Sequence, residues 1–491
     1  MNAGRSRRRN GLWFVGAPGA ALLVACGGAH GASPGNPATV IPEIVVRGAT
    51  ANPDAGAAPP ANAATARDAD AIVARALVEA SRIRELPVLG VVHGRTLTRA
   101  EMATQVEKSI EHELPPEVVS SEGDMLVALG VAPPSFDYSK AIVSLMTAEL
   151  AGYYEPAEKT MYLASDLGPA ERQATLSHEL VHALQDQHYD LGRLLDYRPD
   201  ESDVQSALHA LAEGDATSAM LDAMLAPRGQ KATDLSEQLL GIEVRASAEL
   251  SVQVQGVPDI LKRSLIAPYI EGVELVHLLR RRGGWAAVDE AWKHPPTSTE
   301  QLLHPEKLLA HEEPEVVAVP PPPRDGPATL VYHDVLGEES SRLMLEEWLP
   351  RHAAEDAASH WAGDRVGVFR DGDRVAVLWH LRYDDVAAAT RGERAFERGA
   401  SAQADDAQAA SSAKPDAKAG GGAKPDPKAG SAPPRGRSCV ERPTTGPFAV
   451  LRKGRDIAIV GGPFLRQGAG ATASGTCVGA AAWAARALGG H

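Results

Sequence analysis

At 491 residues the chain is long enough for two or three domains with cores of their own. Its formal charge of −15, from 49 basic and 64 acidic residues, shows no basic surface and argues against a nucleic-acid partner. Ala, Gly and Pro concentrate in stretches that read as linkers, so the folded part is shorter than the chain.

At the N-terminus, Arg5, Arg7, Arg8 and Arg9 precede an apolar run from Leu12 to Ala25, short for a membrane span. The run ends in Leu23-Val24-Ala25-Cys26, which resembles a bacterial lipobox. Residues 1–26 are thus predicted to be a lipoprotein signal, removed when Cys26 is lipidated; the alternative is an ordinary secretory signal with a stray cysteine. Residues 27–66, rich in Ala, Pro and Gly, are expected to be a disordered tether. This places the protein in the cell envelope, anchored to a membrane by lipid. Outside the cytoplasm the two other cysteines, Cys439 and Cys477, are expected to form a disulfide. With the cysteines so used, any zinc must be held by His and carboxylate.

A first folded region is expected over 67–315. Helical spacing begins near Arg67, and Thr98 with Glu101 forms a capping box for a helix towards Leu114. Helices near Glu117–Leu129 and Tyr138–Leu150 follow. Tyr153-Tyr154 and Thr160–Leu163 read as two strands of a hairpin. Pro169 and Glu171 then start a helix carrying SHELVHALQDQHYDL, with Leu176, Leu180 and Leu184 as a buried stripe opposite its histidines. A second helix runs from Asp203 to Leu225, and helical pattern recurs over Glu237–Leu250 and Val257–Leu279. Pro295, Pro296 and Pro305 make the next part a loop or short turns.

Pro320 to Pro323 mark a boundary. Beyond it an α+β region is expected over 328–395, with a helix at Gly337–Ser359 and a hairpin turning at Asp371-Gly372. Residues 396–437 are predicted to be a disordered low-complexity insert, and 438–491 a β-hairpin region holding the disulfide.

The chemistry lies in the motif helix. His178, Glu179 and His182 form H-E-x-x-H, and positions four apart on a helix share a face, so both imidazoles can bind one ion. Zinc suits neutral imidazoles in a tetrahedral shell, and Glu179 is placed to take a proton from the attacking water. A catalytic site needs a third protein ligand. His188 has the spacing of the metzincin proteases, but Gln185 stands where their helix-ending glycine belongs. Glu213, on the second helix among Leu211, Ala216 and Met220, is the favoured alternative, because ligation would offset the cost of burying its charge.

The run AGYYEPAEKTMYL, then ATLSHELVHALQDQHYDL, then ALAEGDAT, with the loop PPTSTEQLLHPEKL, resembles exported bacterial and archaeal zincin metalloproteases of gluzincin type, over about 140 to 310. The resemblance implies an α+β fold: a mainly helical zincin-like domain with a small sheet, plus a smaller α+β C-terminal domain. It also implies one catalytic Zn²⁺ on His178, His182 and Glu213, Glu179 as base, and hydrolysis of a peptide or protein substrate. Gluzincins supply a downstream His or Tyr to the developing oxyanion, for which His304 and Tyr269 are the candidates. His209, one turn before Glu213, is expected at the surface, with a place beside the ligands as the alternative. Two other functions compete: a non-catalytic envelope lipoprotein using the fold for binding, and a zinc hydrolase of a non-peptide amide.

Overall fold

The computed structural model describes residues 63–113, 115–148, 150–236, 240–242, 244–246, 254–324, 326–412, 438–468 and 470–489. Cys26, the signal and residues 27–62 of the expected tether lie outside them. The fold is α+β. The chain divides into two units, Met1–Pro116 with Ser139–Glu313, and Glu117–Tyr138 with Pro314–His491.

The first unit opens with helix α1 (Ala63–Arg84), four residues earlier than the sequence suggests, then β1 (His93–Leu97) and α2 (Arg99–Glu113). The capping box is formed: Glu101 Oε2 accepts from the Thr98 amide at 2.8 Å, and Thr98 Oγ1 from the Glu101 amide at 3.3 Å. Helix α3 (Pro116–Leu129) belongs to the second unit, and α4 (Tyr138–Ala148) returns the chain to the first. Strands β2 (Gly152–Glu155) and β3 (Thr160–Ala164) make the expected hairpin. A strand the sequence pattern did not suggest, β1, runs parallel to β3 and completes the order β1-β3-β2. Its residues HGRTL alternate too weakly to announce a strand; the parallel partner supplies the reason for it.

Helix α5 (Pro169–Tyr189) starts at Pro169 and ends where Asp190 turns left-handed, at φ 59°. The short α6 (Leu191–Leu194) follows, then α7 (Ser202–Leu225). The expected stripe of Leu176, Leu180 and Leu184 is buried, and so is every residue from His178 to Asp186. Helix α7 is buried without a break from Gln205 to Asp222. Both helices are therefore central, and their polar residues must find partners inside the protein. Asp215 receives Arg84 Nε at 2.5 Å and Trp292 Nε1 at 2.9 Å, and Asp222 receives Arg280 Nη2 at 2.6 Å.

Helix α8 (Asp259–Lys293) kinks at Gly283 and Gly284, whose backbones leave helical geometry. It crosses α7 at a backbone contact: a Cβ on Gly214 would lie 2.0 Å from the Gly272 carbonyl oxygen. Two short helices, α9 (Thr299–Leu303) and α10 (Pro305–Ala310), form in the proline-rich stretch expected to hold turns. Ser298 caps the first, accepting from the Gln301 amide at 3.3 Å.

The second unit is built on β4 (Thr329–Asp334), β5 (Trp361–Asp371), β6 (Arg374–Tyr383), β7 (Cys439–Arg442), β8 (Gly446–Lys453), β9 (Asp456–Gln467) and β10 (Gly470–Ala473). These seven form one antiparallel sheet, ordered β4-β5-β6-β9-β8-β7 with β10 beside β9. The β5–β6 hairpin turns at Gly372, φ 58°, as Asp371-Gly372 suggested. The expected helix at Gly337–Ser359 is two, α11 (Gly337–Leu345) and α12 (Arg351–Ala358), parted before Pro350.

Three domain expectations are corrected here. Residues 117–138 do not belong with the motif helix: Asp124 of α3 is held by Arg370 Nη2 and Arg466 Nη2, both at 2.6 Å, inside the second unit. The regions 328–395 and 438–491 are not separate, because β6 pairs with β9 along a ladder from Arg374 to Arg382 and Asp456 to Leu465. The insert does not begin at 396. Helix α13 (Val386–Ser412) continues, with Phe396 and Ala400 fully buried at i, i+4 spacing, and Gln403 Oε1 takes Arg442 Nη1 at 2.9 Å. Residues 413–437 of that insert lie outside the described residues. The expected disulfide joins Cys439 of β7 to Cys477 at the start of α14 (Cys477–Ala487).

Candidate metal centre

Helix α5 presents His178 and His182 one turn apart, and α7 brings Glu213 to them. His178 Nε2 lies 3.0 Å from Glu213 Oε2 and 3.2 Å from His182 Nε2; His182 Nε2 lies 3.7 Å from Glu213 Oε2. Among the described residues these three are the group of His, Cys, Asp and Glu able to hold an ion, their ligand atoms within 4.8 Å of one another.

The donor set fits zinc. Ligands at about 2.0–2.1 Å around a tetrahedral ion stand about 3.3 Å from each other. The three separations, 3.0, 3.2 and 3.7 Å, bracket that value. Two imidazoles and a carboxylate are donor types that zinc accepts.

Electrostatics tie the group together. Burial opposes the charge on Glu213, yet His182, His178 and His209 around it hold its carboxyl well below the usual range. Burial likewise opposes a charge on His182, but Glu213 beside it prevails and raises the ring to about 9. Burial pushes Glu179 up, against the two histidines, which draw it down. Glu179 Oε2 accepts the Tyr154 amide of β2 at 3.2 Å, so a sheet edge fixes one of its oxygens.

The remaining site residues divide. Tyr269 of α8 stacks on His178 with centroids 6.1 Å apart, fully buried; burial and then the charges of Glu213 and Glu179 push its hydroxyl well above its ordinary value. The structure thus brings Tyr269 to the group. His304 is not among the three clustered ligands: it precedes α10, half-buried, with Nδ1 4.0 Å from Glu306. His188 is half-buried and bonds the Pro87 carbonyl at 2.7 Å, because α5 continues past Gln185 and turns it away. His209, expected at the surface, is buried and holds Glu213 Oε1 at 3.1 Å. Its place one turn before Glu213 was the signal; the burial of all sides of α7 decided it.

One residue escaped the sequence reading. Gln185, fully buried, meets His182 Nδ1 with Oε1 at 2.9 Å and donates Nε2 to the Ala212 carbonyl at 3.0 Å. Its position three residues after His182, on the same helix side, was the available signal.

A domain of unknown function, DUF8575, matches residues 329–469, which lie within the second unit and hold none of the three ligands. No curated protein and no solved structure matches the chain.

Proposed function

We propose that this chain is a zinc-dependent hydrolase of peptide bonds, held to a membrane of the cell envelope by a lipid on Cys26. The observation that carries the reading is the convergence of His178, His182 and Glu213 on one point, with Glu179 beside it on a fixed backbone donor. These three residues would hold the ion. When bound, zinc supplies a Lewis acid that polarises the scissile carbonyl and lowers the pKa of water to about 7.

The protein's own groups do the rest. With Oε2 on the Tyr154 amide, Glu179 takes the proton of the attacking water at Oε1 and returns it to the leaving amine. The Tyr269 hydroxyl keeps its proton in this surrounding and is the donor for the developing oxyanion. His209, on the far oxygen of Glu213, leaves Oε2 directed at the histidines.

The test measures zinc content of the purified full-length protein, then hydrolysis of a mixed peptide library with and without chelator. Glu179→Gln should keep zinc and fold while losing nearly all hydrolysis, because it removes the base and spares the ligands. Zinc-free protein, or a Glu179→Gln variant as active as wild type, would sink the reading.

A further inference from the structure

Gln185 occupies a place that the chemistry above leaves unused. Its amide orientation is settled by its neighbours. The Ala212 carbonyl can only accept, so the amide nitrogen must face it, at 3.0 Å. That turns Oε1 towards His182 Nδ1, 2.9 Å away, and an amide oxygen can only accept. Nδ1 must therefore carry hydrogen, and Nε2, the atom facing His178 and Glu213, is the one left to bind an ion.

The same side chain spans two helices. Ala212 precedes Glu213, so a single amide links the helix that bears two ligands to the residue beside the third. Gln185 is fully buried, so bulk water does not compete for either bond. His178 has no such support: its Nδ1 is buried without a hydrogen-bond partner among the described residues. Gln185 therefore fixes the tautomer of the His182 ring.

We propose that Gln185 is the positioning residue of this centre, locking His182 with hydrogen on Nδ1 so that Nε2 faces the ion. The proposal rests on the zinc reading above. It separates two roles of one side chain, accepting from His182 and donating to Ala212, and assigns the effect on metal to the first.

The experiment titrates Zn²⁺ into the apo forms of full-length wild type, Gln185→Met and Gln185→Glu against a competing chelating dye, and records the melting of each apo protein. Gln185→Met has similar length but lacks a strong acceptor, and should bind zinc about 10- to 100-fold more weakly. Gln185→Glu keeps an acceptor opposite Nδ1 and loses the donor to Ala212, so its zinc affinity should stay within about threefold of wild type even if its melting falls. A structural tether would weaken both variants alike. Unchanged affinity in Gln185→Met, or equal loss in both, overturns the proposal. Nitrogen-15 NMR of the zinc-loaded wild type reads the ring directly if a variant does not fold: Nε2 ligated and Nδ1 protonated is expected, and ligation through Nδ1 overturns it. Wild-type protein that takes up no zinc at all defeats the metal reading itself, a result distinct from a Gln185 failure.

Discussion

Gly214→Ala tests how the third ligand reaches the other two. The added Cβ would stand 2.0 Å from the Gly272 carbonyl oxygen and 2.1 Å from its carbon, with both atoms in the backbone of α8. No rotamer relieves such a contact, so α7 and α8 must part by about 1.4 Å to reach ordinary van der Waals separation. Forced overpacking of a core costs about 1–3 kcal/mol, and a contact between two backbones belongs at the upper end. Alanine returns about 1 kcal/mol of helix propensity, leaving a net loss of about 2 kcal/mol. Glu213 is the preceding residue, so the same shift moves its carboxylate relative to His178 and His182. Zinc affinity should fall about 10-fold or more, the scale seen when support for a ligand is disturbed. Denaturant unfolding of the apo protein and a zinc competition titration measure the two effects. A variant that is more stable than wild type and binds zinc equally well would show that the helix crossing does not set the site.

Glu213→Ala should lower zinc affinity by orders of magnitude, while His188→Ala, whose ring reaches the Pro87 carbonyl, should leave it nearly unchanged; the reverse ranking in a titration would make His188 the ligand. Zinc affinity should climb with pH about tenfold per unit towards pH 9. The reason is that Glu213 raises His182 to about 9 in the ion-free protein, so below that pH the ion must displace a proton. A dissociation constant that stays flat between pH 6 and 8 would contradict this. Replacing Cys439 and Cys477 by Ser opens a loop of sequence separation 38, and chain entropy sets the cost to the second unit at about 4 kcal/mol. Unfolding at the wild-type denaturant midpoint would refute it.

Much of this protein is local, and local features are what a sequence determines. His178, Glu179 and His182 share a helix face because of spacing alone. The Thr98–Glu101 cap, the β2–β3 and β5–β6 hairpins and the start of α5 at Pro169 each arise from neighbours within a few residues. Glu213 was reached one step further, from the cost of a carboxylate on an apolar helix.

What the tertiary structure decided depends on partners far apart in the chain. Strand β1 is polar in pattern and exists because β3 lies parallel to it. The surface or interior place of His209 hung on whether α7 is covered on every side, which helical period does not reveal in a chain so rich in alanine. Phe396 and Ala400 looked like the edge of a low-complexity stretch, yet they form one buried stripe of a helix that ends only at Ser412. Gln185 shows the difference most sharply. Its distance from His182 is written in the sequence, but its tie to Ala212 depends on two helices meeting, and only that meeting fixes which way its amide points.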